Sequence, residues 1–495
     1  LSSLKKTLSS SFLLSFETIL RKLVGLVSTL VLARLLMPED FGIIAIALMT
    51  MGLLEAMKEF GAGAYLMRSK DINKDMINTS WTIGLISTIV FALILAVSSP
   101  LVAAYFEDPR LIPVLCVYAT MWLLRSVGNP GTVLLKREQN YLPIVKASII
   151  SKVISVVIVI PAAIYFQNYW ALVIAQYSMS LTGVISGYII HPHRPRLCLV
   201  NFKEQWKFSS WFLLQSILGY CRSQLDTFLV GSFFDKAALG SYHTMKYLAS
   251  MPTTFLIGPA TEPLLVQLAK IKDTKAYFSQ QYNVSLIVPL CLAIPACLFI
   301  YYNHALVTHI ILGDNWIEYS KLFAIFCISI FTILVQQHAL RVLIIHAKTK
   351  QIFYFEILSF IGLYGYLLTQ NFDEILVFST SKIAIELLMA LLVFIYVTIR
   401  YTSVNNLLQC FLCILPVAIS AYIASYTTRH IILDQGEIIQ FIITTASFGI
   451  IYFLSLIIQV MILRNMSREW AYIWNICRKV IIKTLESKPF KSKKI

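Results

Sequence analysis

Charge is scarce in this chain. Only 13% of its 495 residues are Asp, Glu, Lys or Arg, while 58% are hydrophobic. A soluble protein of this length carries about a quarter charged residues, so water-facing domains cannot hide this much apolar surface. Acidic residues are scarcer still: 25 against 41 basic ones. The short polar/apolar alternation that marks a membrane barrel is also missing. No P-loop, nucleotide-binding glycine pattern, HExxH or credible Ser/His/Asp arrangement occurs, so the usual signatures of an enzyme are absent. The nine cysteines are scattered, most of them inside apolar runs. Cys410 and Cys413 form a CxxC with no second pair and no nearby His. They read as small buried hydrophobes, not as a disulfide framework.

What the chain does have is apolar runs of about 20 residues, each able to cross a bilayer core of roughly 30 Å as a helix. Fourteen spans are predicted, over 11–36, 41–66, 79–105, 111–135, 142–166, 169–190, 208–233, 237–268, 284–302, 320–345, 351–370, 373–399, 405–427 and 437–463. The expected fold is an all-α integral membrane protein with no separate soluble domain. The first run follows Lys5 and Lys6, carries Glu17, Arg21 and Lys22, and lacks a small-residue cleavage site. It reads as a membrane helix, not a removable signal peptide.

The net charge of +16 suggests nucleic acid only until its distribution is read. With the N-terminus in the cytoplasm, 26 basic residues fall in inner segments and four in outer loops: Arg34, Arg110, Lys236 and Arg429. That asymmetry marks cytoplasmic loops and supports an even number of spans, with both termini inside. The remaining 11 lie within spans. Some near helix ends, such as Lys146 and Lys321, are expected to snorkel. The tail "SREWAYIWNICRKVIIKTLESKPFKSKKI" mixes Trp470, Tyr472 and Trp474 with basic residues. It reads as an amphipathic helix on anionic inner-leaflet lipid.

The chain also repeats itself. Residues 30–43, "LVLARLLMPEDFGI", align without a gap to 228–241, "FLVGSFFDKAALGS", at an offset of 198 residues. Each copy closes a span with a polar turn, and Gly42 or Gly240 opens the next. Six spans separate the copies, so the halves are expected to be parallel repeats about an axis along the membrane normal. The expected division is 1–200 and 201–404 as six-helix lobes, 405–464 as two C-terminal helices, and 465–495 as the tail.

Charges at a helix centre cost about 2.5–3.5 kcal/mol each on the insertion scale, and they usually face a bundle interior or a watery cavity. The deep set here is biased. Arg21, Lys22, Lys58, Arg125, Lys152, Arg222, Lys246 and Arg341 are positive; Glu17, Glu55, Glu59, Asp226, Glu356 and Glu386 are negative. Glu17 lies four before Arg21, Glu55 and Glu59 flank Lys58, and Lys382 lies four before Glu386, which supplies local mates. Arg125, Lys152 and Arg341 have none. Cations in that position suit an anionic cargo, and Arg can fork a phosphate. The other reading is that acids on other helices neutralise them as inter-helix glue. Arg222 and Asp226, one turn apart on one face, either form a local ion pair or divide the work between cargo and coupling ion. His191 and His193 in "HPHRPR" lie in a basic loop that suits metal poorly. Gly183 and Gly187 form a GxxxG explained by close helix packing.

Four segments together resemble a known family. They are "LARLLMPEDFG" after the first span, "FGAGAYLMR" (60–68), "NPGTVLLKREQNY" (129–141) and "RSQLDTFLVGSFFDKAALGSYHTMKYLASMP" (222–252). The chain is similar across nearly its whole length to polysaccharide flippases of the multidrug/oligosaccharidyl-lipid/polysaccharide exporter superfamily, in the branch serving capsule, O-antigen and colanic-acid-type glycans. It departs where Gly61-Ala62-Gly63-Ala64 replaces a more regular Gly-Leu-x-x-Ala-type run. The resemblance implies two six-helix lobes around a central cavity, two further helices, and alternating access. It implies a polyprenyl-pyrophosphate-linked oligosaccharide as cargo in a bacterial cytoplasmic membrane, a coupling proton or sodium ion, no cofactor, and glycan polymerase and glycosyltransferases as partners. Candidate cargo contacts are then Arg222, Arg125, Arg341, Lys152, Lys246 and Arg21, with Asp226 and Glu55 as coupling candidates. A drug/cation antiporter of the same superfamily would favour an acidic lumen. A membrane polymerase or ligase would need a large outer loop, and a passive scaffold leaves the deep charges unexplained.

Overall fold

The computed structural model describes residues 2–58, 73–200, 219–253, 274–429, 436–465 and 467–475, with positions 268, 271 and 478. The segment 60–68, Glu59, the ends of the second, seventh and eighth expected spans, and most of the tail lie outside the described residues, as do the side chains of Lys5, Lys6 and Lys58.

Helix α3, Lys74–Tyr105, buries polar residues and exposes apolar ones. The Asn73 side chain caps it, accepting from the Met76 amide at 2.8 Å. Its buried positions include Asn78, Thr79, Ser80, Thr82, Ser87, Thr88 and Ser99, while Leu93, Val97 and Leu101 are exposed, Val97 by 76%. In water such a helix is inside out. In hydrocarbon it is stable, because the apolar side chains face lipid and the hydroxyls find acceptors within the protein. Thr82 donates to the Asn78 carbonyl at 2.8 Å, Ser87 to Ile83 at 2.8 Å and Thr88 to Gly84 at 2.7 Å.

The elements in order are α1 (Ser2–Leu35), α2 (Pro38–Lys58), α3, α4 (Leu111–Ser126), the short α5 (Thr132–Arg137), α6 (Leu142–Phe166), α7 (Trp170–Ile190), α8 (219–233), α9 (Lys236–Pro252) and α10 (Lys275–Leu312). A 3-10 turn, Asp314–Tyr319, leads to α11 (Ser320–Ile345), α12 (Thr349–Thr369), α13 (Ile375–Tyr401), α14 (Val404–Thr428), α15 (Glu437–Leu463) and α16 (468–475). Ten helices among the described residues have the length and apolarity to cross a membrane, and α4 is a shorter apolar helix.

Two expected boundaries are corrected. The fourth span ends at Ser126 instead of 135, because Gly128-Asn129-Pro130-Gly131 breaks the helix before α5. The ninth, expected over 284–302, is the 38-residue α10, kinked at Asn303, where φ is −117° and ψ is 20°. Polar residues at its start and end hide its true length from a hydropathy reading.

Contacts divide the chain into two compact units: Leu1–Thr244 with Leu312–Trp316, and Met245–Ile311 with Ile317–Ile495. In the first unit α6 packs on α7 and α1, α4 packs on α3 and α7, and α2 packs on α3 and α4. Leu32, Leu36, Val159, Ala163 and Ala171 form a buried cluster there. Both copies of the 14-residue repeat belong to this unit, and they meet reciprocally. A methyl built on Gly42 would collide with the Lys236 carbonyl, and one on Gly240 with the Pro38 carbonyl. Positions 38 and 236 correspond under the same offset of 198 residues as 42 and 240. Contact of i with j and of j with i is the signature of a local two-fold relation.

In the second unit α13 packs on α11, α12 and α14, and α14 on α15. A closed polar network lies inside it. The Asn283 amide donates to Asn406 Oδ1 at 2.9 Å and the Asn406 amide to Asn283 Oδ1 at 3.0 Å. Asn283 also donates to Glu469 Oε1 at 3.1 Å, and the Ser467 hydroxyl donates to Glu469 Oε2 at 2.9 Å. Glu469 and its neighbour Trp470 are buried, and Trp470 joins the apolar cluster of Ile287, Cys413, Val417 and Val460. Trp470, expected at the lipid interface, is thus packed into protein, because the adjacent carboxylate docks α16 onto α10 and α14. Cys410 and Cys413 are buried in the same region.

Candidate functional site

The first unit gathers five of the sequence-nominated side chains into two open constellations and places a sixth in packed core. On α1, Glu17 and Arg21 pair at 3.5 Å, as their spacing predicts. Glu17 also accepts from the Ser148 hydroxyl on α6 at 2.6 Å. Lys152, one turn beyond Ser148, lies within electrostatic reach of Arg21. It is half-buried and makes no ion pair or hydrogen bond among the described residues. Of these two neighbouring cations, Arg21 is paired with a carboxylate and Lys152, among the described residues, is not.

The second constellation joins α2 to α4. Arg125 Nη1 lies 3.6 Å from Glu55 Oε1, with the side chains 49% and 40% exposed. This corrects the expectation that Arg125 is unpaired: its mate is 70 positions away in sequence. It also gives Glu55, expected to answer Lys58, a partner on another helix. The pair is half-open and too long for a hydrogen bond, so it is worth at most about 1 kcal/mol.

Asp226 on α8 behaves differently. It is only 2% exposed. Its Oδ2 accepts from the Tyr242 hydroxyl at 2.8 Å and its Oδ1 from the Thr227 amide at 2.8 Å. Arg222, one turn earlier on the same helix, is exposed. The two charges of that turn thus meet different surroundings. Lys246 and Arg341 belong to the second unit, half-buried on α9 and α11. Also there, Lys382 pairs with Glu386 at 3.1 Å, as their spacing predicts.

Arg125 lies at the break between α4 and α5, and Asn129 holds that break. The Asn129 Oδ1 accepts from the Gly131 amide at 2.8 Å, while its Nδ2 donates to the carbonyls of Gly187 at 3.2 Å and His191 at 2.8 Å. A side chain at Gly131 would strike the His191 ring. The "NPG" of the 129–141 segment is therefore a clamp between the ends of α4 and α7. The loop after α7 then runs along α3: His193 Nε2 lies 3.0 Å from Asn78 Oδ1, and the Cys198 amide donates to the Thr82 hydroxyl at 3.0 Å. Burial, then His191, Lys74 and Arg194, hold the His193 imidazole below its usual range.

Beside this clamp opens a cavity of about 560 Å³ between α3, α4 and α7, with Arg125 on its wall. Gly183 and Gly187 line it. A methyl on Gly183 would meet nothing within 4 Å, and one on Gly187 only Asn129 at 3.7 Å. The GxxxG expected to seat a neighbouring helix is therefore open at Gly183, while Gly187 receives the Asn129 turn instead of a helix. The cavity, the Asn129 clamp and the Tyr242 partner of Asp226 were not read as site features from sequence. Each depends on pairs far apart along the chain.

A family described as "Polysaccharide biosynthesis protein" matches residues 31–321, more than half of the chain. The chain belongs to this family. It is 20% identical over 334 residues to the Escherichia coli lipopolysaccharide biosynthesis protein WzxC, covering 66% of this chain and 67% of that protein. It is 20% identical over 288 residues to the Rhizobium meliloti succinoglycan biosynthesis transport protein ExoT, covering 58% of each. Among solved structures, the lipid II flippase MurJ in an inward closed conformation superposes with a TM-score of 0.69 at 12% identity, over 92% of this chain and 99% of that one. An inward-facing multidrug resistance transporter of the MATE family superposes with a TM-score of 0.54 at 13% identity, over 77% and 94%. This member of the polysaccharide biosynthesis family is a multi-pass membrane protein with a MurJ/MATE-like transporter fold. At 12% and 13% identity these solved neighbours, named as a flippase and a transporter, show the fold alone.

Proposed function

We propose that the chain flips polyprenyl-pyrophosphate-linked oligosaccharide repeat units across the bacterial cytoplasmic membrane by alternating access, for surface polysaccharide export. The observation that carries this reading is the charge ratio of the open constellations. Three cations, Arg21, Lys152 and Arg125, share two carboxylates, Glu17 and Glu55, in these constellations, so an anionic headgroup is the missing counter-charge. The basic inner loops support cytoplasmic termini and loading from that side. Lobes over 1–200 and 201–404 rock about the repeat axis in this scheme, with Arg222, Lys246 and Arg341 as further cargo contacts. Glycosyltransferases supply the cargo and a glycan polymerase consumes it. A buried carboxylate held by hydrogen bonds from Tyr242 and Thr227 suits Asp226 to proton or sodium coupling more than to cargo binding, and the open Glu55 is the alternative coupling group.

The test is complementation of surface glycan in a strain lacking its own flippase. Lys152→Ala is expected to cut export about tenfold or more at normal protein level, the equivalent of roughly 1.4 kcal/mol. Normal export by that variant removes the counter-charge argument. In vesicles, transport is expected to follow an imposed proton or sodium gradient and to lose that dependence in Asp226→Asn; gradient-independent transport sinks the coupling role.

A further inference from the structure

The cavity beside Arg125 has a chemistry that the charge argument leaves unused. Its volume of about 560 Å³ falls within the roughly 300–1,000 Å³ of small-ligand sites. Among the described residues Arg125 is its only charged lining residue, and no carboxylate lines it. The guanidinium offers five donors, yet its one ionic contact is Glu55 at 3.6 Å, and it makes no hydrogen bond among the described residues. Trp81 also lines the wall, and its Nε1 is a donor buried without a hydrogen-bond partner among the described residues. Gln176 and Ser180, one turn apart on α7, add an amide and a hydroxyl to the lining. Gly183 and Gly187 continue the same helical face and leave bare backbone along it. Asn129, locked onto Gly187 and His191, fixes the spacing between α4 and α7.

Surplus donors around one guanidinium select an oxygen-rich anion. A floor bare at Gly183, bordered by Met179 and Val184 and flanked by an amide and a hydroxyl, suits a polyol ring. We propose that this groove binds a glycosyl phosphate, with the phosphoryl group on Arg125 and the sugar ring over Gly183 and Gly187, and that it reads the first sugar of the cargo. The assignment to cargo rests on the export function proposed above. A phospholipid headgroup offers the same phosphate-and-polyol chemistry, and the test separates the two sources.

The full chain is reconstituted in phosphatidylcholine nanodiscs and titrated with glucose 1-phosphate, glucose and inorganic phosphate. Glucose 1-phosphate is expected to bind about tenfold tighter than either fragment, about 1.4 kcal/mol. Affinity is expected to fall stepwise through Gly183→Ala, Gly183→Val and Gly183→Leu, and to fall in Trp81→Phe, which removes the N–H and keeps the ring. Gly449→Leu on α15, where a methyl also meets nothing within 4 Å, is the matched control and is expected to bind normally. Should Gly183→Leu fail to accumulate, Trp81→Phe carries the test. Equal affinity for glucose 1-phosphate and inorganic phosphate, or an unaffected variant series, overturns the site. Loss of glucose 1-phosphate binding by the wild type on changing the discs to phosphatidylglycerol, together with phosphatidylglycerol retained by the wild type and not by Gly183→Leu, assigns the groove to lipid headgroups and overturns the cargo assignment. In cells, normal export by folded Gly183→Leu rejects the groove and leaves the export function standing. Wild-type protein that restores no export but binds glucose 1-phosphate through Gly183 rejects the export function and keeps the site.

Discussion

The open charges of the first unit and the closed network of the second read alike in sequence. Each is a handful of polar residues inside apolar helix. They differ in stoichiometry. Asn283, Asn406, Ser467 and Glu469 match donors to acceptors within hydrogen-bond distance, and all but Ser467 are buried. Arg125 and Lys152 are half-exposed or half-buried with donors to spare. A network whose donors and acceptors cancel holds helices together, whereas one with a surplus of one sign is unfinished until something else arrives.

The largest effect is expected from breaking the closed side. Glu469→Ala leaves the Asn283 amide and the Ser467 hydroxyl short of an acceptor in a dry interior, at a cost of about 2–4 kcal/mol. Thermal unfolding in detergent is expected to drop by several degrees, with accumulation falling and export per folded molecule unchanged. A variant that melts normally but exports poorly would move Glu469 from architecture to mechanism and erase the contrast.

A smaller and opposite outcome is expected on the open side. If Arg125 and Glu55 merely glue α2 to α4, exchanging them as Arg125→Glu with Glu55→Arg restores both charge pairing and export. If Arg125 meets cargo, the exchange keeps the protein's melting temperature within about a degree, since an exposed pair is worth little, yet export stays at least about tenfold down. Surface glycan and thermal melts on the same preparations decide between them.

How legible these features were in the sequence follows from the range of the interaction that makes them. The all-helical membrane fold rests on run length and hydropathy, both local, and so could be read directly. Pairs one turn apart, Glu17 with Arg21 and Lys382 with Glu386, were legible for the same reason. The repeat named Gly42 and Gly240 as equivalent, but not that each abuts the other's partner turn. Arg125 with Glu55, Asp226 with Tyr242, and Asn129 with Gly187 needed the fold, because each bridges different helices. The GxxxG was half legible: Gly187 admits the close approach of Asn129, while Gly183 stays open because small residues permit close packing without compelling it.

A third constellation, outside the membrane spans, tests whether matched stoichiometry keeps its meaning at a wet surface. Asp108 precedes α4 and accepts three contacts from Arg110: from its amide at 3.0 Å, its Nε at 2.9 Å and its Nη2 at 2.9 Å. Arg110 also reaches Glu39. Burial pushes the Asp108 carboxyl up, but the Arg110 hydrogen bonds and charge, with Lys236 adding to them, bring it below the usual carboxylate range. A depressed carboxylate stabilises the fold fully above its ordinary value of about 4, and that contribution fades as pH falls through the lower folded value. Arg110 is 42% exposed, so screening by solvent holds the contribution to about 0.5 kcal/mol. Asp108→Asn is therefore expected to melt a degree or so below wild type at pH 7, with the gap closing below about pH 4. A gap that persists at low pH would mean that the turn is held by hydrogen-bond geometry alone, and charge stoichiometry would then distinguish open from closed sites only inside the membrane.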